Sequence, residues 1–93
     1  MGISQTLKAL ADPVRRGILE MLKYGPKSAG EIAQAFELTP ATVSYHLSQL
    51  KKAGLLIEEK QKNFIYYSLD VTVFEEILVW FQSLGGGNEN EKK

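Results

Sequence analysis

TPATVSYHLSQLKKAGLL, residues 39–56, is the stretch whose reading decides the fold. Threonine before proline opens a helix: the hydroxyl can accept from an orphan backbone N–H, and proline at the first helical position forfeits no hydrogen bond. The Ala-Gly pair at residues 53–54 closes it. Stepping about 100° per residue gathers Val43, Leu47, Leu50 and Gly54 into one narrow sector. Ala41, Tyr45, Ser48 and Lys52 lie opposite, flanked by Thr42, Ser44 and Gln49. The polar side holds hydroxyls, an amide, a phenol and lysines but no acid. Such a face suits a polyanion, which repels carboxylates and accepts hydrogen bonds from each of those groups. An ordinary solvated face would carry the same residues, so the neighbouring segments decide between the two.

Upstream, Ser28-Ala-Gly-Glu31 fits a capping box and starts a short helix to about Phe36, with Ile32, Ala33 and Phe36 inward. The connection Glu37-Leu38-Thr39 then gives two helices a three-residue joint, the helix-turn-helix plan whose second helix enters a DNA major groove. Glu37 sits where such a turn favours glycine or asparagine, and a positive φ there would cost about 1 kcal/mol. Earlier still, Ile3, Leu7 and Leu10 recur at helical spacing over residues 3–11. Asp12-Pro13 opens a second helix carrying Val14, Ile18, Leu19 and Leu22, which stops at Gly25-Pro26.

Downstream, LLIEEK and FIYYSL are β-rich runs joined by Gln61-Lys62-Asn63, a hairpin with Lys60, Lys62 and Asn63 near its tip. Such a wing can reach phosphates or a minor groove, although lysines also serve simply to discourage edge pairing. Asp70 caps a last helix in which Val71, Val73, Phe74, Ile77, Leu78, Val79, Trp80, Phe81 and Leu84 occupy nearly the whole circumference. A helix apolar all round must be covered all round, and a 93-residue chain has too little core for that. A second copy is therefore expected to supply the other wall. Ile3, Leu7, Leu10, Phe74, Ile77, Leu78, Trp80 and Phe81 form the expected homodimer interface, and two-fold symmetry would then set paired recognition helices about 34–36 Å apart.

Composition bounds what else the chain can be. One domain over residues 1–84 is expected, followed by a disordered tail, GGGNENEKK, at residues 85–93. With no cysteine and one histidine, thiol chemistry and thiolate or imidazole-rich metal sites are excluded, and neither a metal nor a cofactor is expected. No apolar run approaches the roughly 20 residues that cross a bilayer, and the first residues lack a secretory signal pattern, so the expected location is the cytoplasm without membrane insertion. The zero net charge is uneven: residues 1–69 hold nine Lys/Arg against six acids, residues 70–93 two against five.

His46 falls at the border of the helix's buried sector, where a structural or a phosphate hydrogen bond is expected. It lies about 200° around the helix from Ser44, so the two cannot act as nucleophile and base, and no enzyme is indicated. Arg15 and Arg16 fall in the first turn of the second helix, where each either plays a structural part, Arg16 by pairing with Glu20 at i,i+4, or touches the DNA backbone. Lys51, Lys52, Lys60, Lys62 and Arg16 are the charges expected to neutralise phosphate.

ALADPVRRGILEML, TPATVSYHLSQLKKAGLL and FIYYSL, in that order, resemble three segments of the winged-helix ArsR/SmtB family of transcriptional repressors: the second helix, the recognition helix and the second wing strand. Within the family the chain looks most similar to the SdpR-like autorepressors, which lack a metal site. The resemblance covers about residues 5–82 and implies a mainly helical fold with a small β-hairpin: four helices, the wing, and a fifth helix that dimerises with the first. It implies a homodimer on double-stranded DNA at an inverted-repeat operator. The positions matched to DNA contact are Thr39, Ala41, Thr42, Ser44, Tyr45, His46, Ser48, Gln49, Lys52, Lys60, Lys62, Asn63 and Arg16. Metal-sensing relatives place cysteines on the third helix or histidine and aspartate on the last. Here those helices read EIAQAF and DVTVFEEILVWFQS, and Asp70, Glu75 and Glu76 read as capping and first-turn acids. The wing tip carries lysine where relatives often carry arginine and glycine, which implies affinity more than discrimination. Release from DNA would then fall to a small ligand, a regulatory protein or concentration. A winged-helix module that binds a protein through its last helix is the alternative function.

Overall fold

The computed structural model describes residues 3–86. The elements run α1 (Ile3–Leu10), α2 (Pro13–Leu22), β1 (Lys27–Ser28), α3 (Ala29–Phe36), α4 (Pro40–Lys52), β2 (Leu56–Gln61), β3 (Phe64–Leu69) and α5 (Val71–Phe81), with a wide turn at Gln82–Gly86. The starts of α2, α3, α4 and α5 rest on the caps their sequences signalled. Asp12 accepts from the Val14 and Arg15 N–H groups at 2.8 and 3.1 Å. Ser28 and Glu31 make both arms of the capping box, at 3.2 and 2.8 Å. Thr39 accepts from the Thr42 N–H at 3.2 Å, and Asp70 from the Thr72 N–H at 3.0 Å.

The sheet is larger than the expected hairpin. β2 and β3 pair antiparallel from Leu56↔Leu69 to Gln61↔Phe64, and β1 adds Lys27↔Tyr67 and Ser28↔Tyr66, giving the order β1-β3-β2. Two residues are too few to display a period of two. Ser28 is also the N-cap of α3, so its stronger signal masked the strand. Of the expected tail, Gly85 and Gly86 belong to the turn after α5, and residues 87–93 lie outside the described residues.

The core draws on every helix. Ile18 and Leu22 of α2, Ile32 of α3, Val43, Leu47 and Leu50 of α4, Leu55 and Leu56 at the start of the wing, and Val73 and Ile77 of α5 are buried together. Gly17 lets α2 and α3 approach, since a Cβ there would stand 2.9 Å from the Phe36 ring. α1 turns Thr6 and Ala9 inward, with Thr6 Oγ1 donating to the Ala53 carbonyl at 3.4 Å. Its apolar stripe therefore looks outward: Leu7 is exposed, and Ile3 and Leu10 are half-buried.

The joint between α3 and α4 follows from its backbone. Glu37 takes φ 56° and ψ 45°, the left-handed conformation its position demanded. Leu38 N–H reaches the Ala33 carbonyl at 3.0 Å, closing α3 and redirecting the chain into α4. Gly54 repeats this at the end of α4, at φ 79°, with Leu55 N–H on the Leu50 carbonyl at 3.0 Å.

Candidate nucleic-acid interface

α4 is clamped by Val43, Leu47 and Leu50, and this fixes which residues it shows. Ala41, Ser44, Tyr45, Ser48 and Lys52 are exposed, Tyr45 at 57%, while Thr42 and Gln49 are half-buried at the edges. The exposed face contains no carboxylate of the helix itself. At its N-terminal end the Thr39 hydroxyl donates to Thr42 Oγ1 at 2.9 Å while accepting from the Thr42 N–H, so Thr39 is occupied as a cap. Beside α4 the wing extends Lys60, Lys62 and Asn63 into solvent. Gln61 pairs with Phe64, so the turn itself is only Lys62 and Asn63, with Lys62 at φ 57°.

Two expected contacts do not join this face. His46 is only 8% exposed, and its Nδ1 stands 3.2 Å from Arg15 Nη1. Its place is the seam between α2 and α4, because the phase that buries Leu47 and Leu50 carries position 46 inward. Arg16 does not pair with Glu20: its Nη1 donates to the Leu10 carbonyl at 2.9 Å, and Glu20 meets Lys23 at 3.2 Å. Arg16 lines a groove with Leu10, Leu19, Leu69, Val71 and Phe74, to which α4 contributes no residue.

Of the two roles open to Arg15, structural support or contact with the DNA backbone, its bonds are those of the first. Nε donates to the Ala9 carbonyl at 2.8 Å and Nη2 to the Lys8 carbonyl at 3.2 Å, so one guanidinium caps α1 while facing His46 on α4. An arginine only donates, so the His46 nitrogen it faces is the acceptor and the ring proton is assigned to Nε2.

Glu58 is the residue that sequence reasoning passed over. Its carboxylate accepts from Lys51 Nζ at 2.7 Å, in a cleft between α4 and the wing lined also by Ser44, Ser48, Lys52 and Tyr67. The Lys51 hydrogen bond holds the Glu58 carboxyl below its usual range, and Glu58 holds Lys51 above its own. Burial first, and then the Glu58 charge, push the Tyr67 phenol up. The available signal was alternation: with Leu56 in the core, Glu58 must share its face.

On the proposed dimer face, Ile77 is a correction, since it is buried in its own protomer's core. Phe74 and Leu10 are half-buried against that core, whereas Leu78, Trp80 and Phe81 are exposed together with Val79 and Leu84. Among the described residues no group of three or more His, Cys, Asp or Glu is placed to hold a metal. None of the described helices is long and apolar enough to cross a membrane.

A family model described as a helix-turn-helix domain matches residues 10–59. The chain is 36% identical over 89 residues to the transcriptional repressor SdpR of Bacillus subtilis, covering 96% of this chain and 99% of that protein. Among solved structures it resembles the crystal structure of the ArsR family transcriptional regulator RHA00566, with TM-score 0.81, 26% identity, and 88% and 84% of the two chains covered. It also resembles the homodimeric winged helix-turn-helix DNA-binding domain Mb0332 of Mycobacterium bovis, solved by NMR, with TM-score 0.74, 27% identity, and 88% and 76% covered.

Proposed function

The chain belongs to the ArsR family of winged helix-turn-helix transcriptional repressors, and from that premise we propose how this member engages DNA. A homodimer seats α4 of each protomer in successive major grooves of an inverted-repeat operator and blocks transcription, including that of its own operon. Ala41, Thr42, Ser44, Tyr45, Ser48 and Gln49 meet base edges or nearby phosphates, while Lys52, Lys60, Lys62 and Asn63 track the backbone. The carrying observation is the exposed face of α4, rich in hydrogen-bonding groups and free of its own acids.

Dimerisation joins the outward stripe of α1, Ile3, Leu7 and Leu10, to the exposed end of α5, Leu78, Trp80 and Phe81. The protein is non-catalytic and acts in the cytoplasm. It works without a metal, a view supported by the absence of cysteine and by a single histidine already engaged with Arg15. The control is direct: operator affinity should be the same with added zinc or with chelator, and a metal-induced loss would remove this part.

The decisive experiment recovers operator fragments from genomic DNA and titrates them against a random duplex at two salt concentrations. Tyr45→Ala and Ser48→Ala should each cost about 1–3 kcal/mol on the operator and far less on random DNA. Lys62→Ala should weaken both alike and make the salt slope shallower by about 1 for each phosphate no longer neutralised. No operator preference and no salt slope would defeat the proposal. Retained dimerisation without affinity for any duplex would favour a protein-binding module instead.

A further inference from the structure

The helix that keeps its exposed face free of acid has one brought to it by the neighbouring strand. Leu56 is buried, so alternation along β2 turns Glu58 toward α4, opposite Tyr67 on β3. There its carboxylate holds Lys51 Nζ at 2.7 Å. The cleft they share is lined by Ser44, Ser48 and Lys52, three residues of the face that would meet DNA. Lys51 side-chain exposure is 53% and that of Glu58 35%, so both charges sit at the surface where phosphates would arrive. An ammonium already matched by a carboxylate contributes little to the field that phosphates see, and it releases no counterion when DNA binds.

We propose that Glu58 sequesters Lys51, withholding one phosphate-neutralising charge per protomer from the recognition surface, a step that rests on the DNA-binding function proposed above. The carboxylate thereby holds down sequence-independent affinity, so that operator binding leans more heavily on the base contacts of α4. Each phosphate neutralised steepens the fall of log K with log salt by about 0.9, and two protomers double this to about 1.8. A carboxylate that merely clips β2 to α4 makes a different prediction: its loss would lower stability and leave the salt slope alone.

The test uses the full chain with a fluorescent random-sequence duplex, titrated between about 50 and 200 mM salt. Wild type, Glu58→Gln, Lys51→Gln and the double variant are compared, each checked for folding by its thermal transition. Glu58→Gln should bind more tightly at low salt, and its slope should be steeper by about 1.8 per dimer, roughly a ten-fold extra loss of affinity across that range. The double variant should return to the wild-type slope, which assigns the gain to Lys51. A wild-type slope in Glu58→Gln, or a steep slope persisting in the double variant, would overturn the inference. If no variant bound any duplex at the lowest salt, the DNA-binding function itself would fall and this inference with it.

Discussion

Arg15 and Arg16 are neighbours in sequence with opposite fates. The first bridges two helices through the Ala9 and Lys8 carbonyls and His46, while the second makes one exposed bond to the Leu10 carbonyl. Charge-assisted bonds to a partly buried guanidinium are worth about 1.5–3 kcal/mol together, whereas an exposed contact changes stability by about 0.5 kcal/mol or less. Urea unfolding at fixed protein concentration should therefore rank Arg15→Ala well below Arg16→Ala, and equal values would refute the bridging role. Glu37 offers the converse case. Relieving a left-handed non-glycine residue gains about 1–2 kcal/mol, and glycine's extra unfolded-state entropy returns part of it, so Glu37→Gly should stabilise by about 0.5–1 kcal/mol. Asp12 adds a pH dependence. The Arg15 N–H holds its carboxyl below the ordinary value of 3.8, against opposing desolvation, with the Val14 N–H adding to it. A carboxyl whose pKa falls on folding stabilises the fold above the unfolded value and loses that contribution as pH drops through the folded one. Asp12→Ala should thus cost about 1 kcal/mol at neutral pH. Its gap from wild type should close as pH falls below 3.8, measured by unfolding at both pH values.

α5 is the element whose two sides part company. Its sequence is apolar around nearly the full circumference, yet Val73 and Ile77 alone are buried, while Leu78 and Phe81 remain 58% and 51% exposed. Ile77→Ala should therefore destabilise the protomer by about 2–5 kcal/mol through a core cavity. Leu78→Glu should leave the protomer folded and split the dimer, which sedimentation velocity read beside circular dichroism would separate. If Leu78→Glu stayed dimeric, the α5 interface would be elsewhere. The helices were legible because α2 to α5 begin with a side-chain cap and α1 to α4 carry a 3.6-residue stripe, signals that are local. β1 was not, since a two-residue strand has no period and exists only because β3 arrives beside it from about forty residues away in sequence. The exposed face of α4 was legible from spacing alone. Its border was not: whether His46 lies inside or outside depends on Arg15 of another helix, and the acid in the cleft comes from another element altogether.

At the scale of the whole molecule, the proposed dimer would make a ruler of the two α4 faces. Two helices held by one two-fold interface can meet two half-sites only when these lie on the same side of the duplex, about one turn of 10–10.5 base pairs apart. Inserting about five base pairs between half-sites rotates one by half a turn, and a duplex is too stiff to twist and bend that back at a cost smaller than the second contact is worth. Such an operator should therefore bind with the affinity of a single half-site. Inserting a full turn restores the facing but stretches the span, so recovery should be partial at most, limited by how far the proposed interface of α1 and α5 yields. Leu78→Glu on the unaltered operator should match the half-turn insertion, because removing the partner and misplacing its site leave the same half-site unread. Electrophoretic mobility titrations of the three combinations check this, and an operator indifferent to half-turn insertion would show that the protomers read DNA independently.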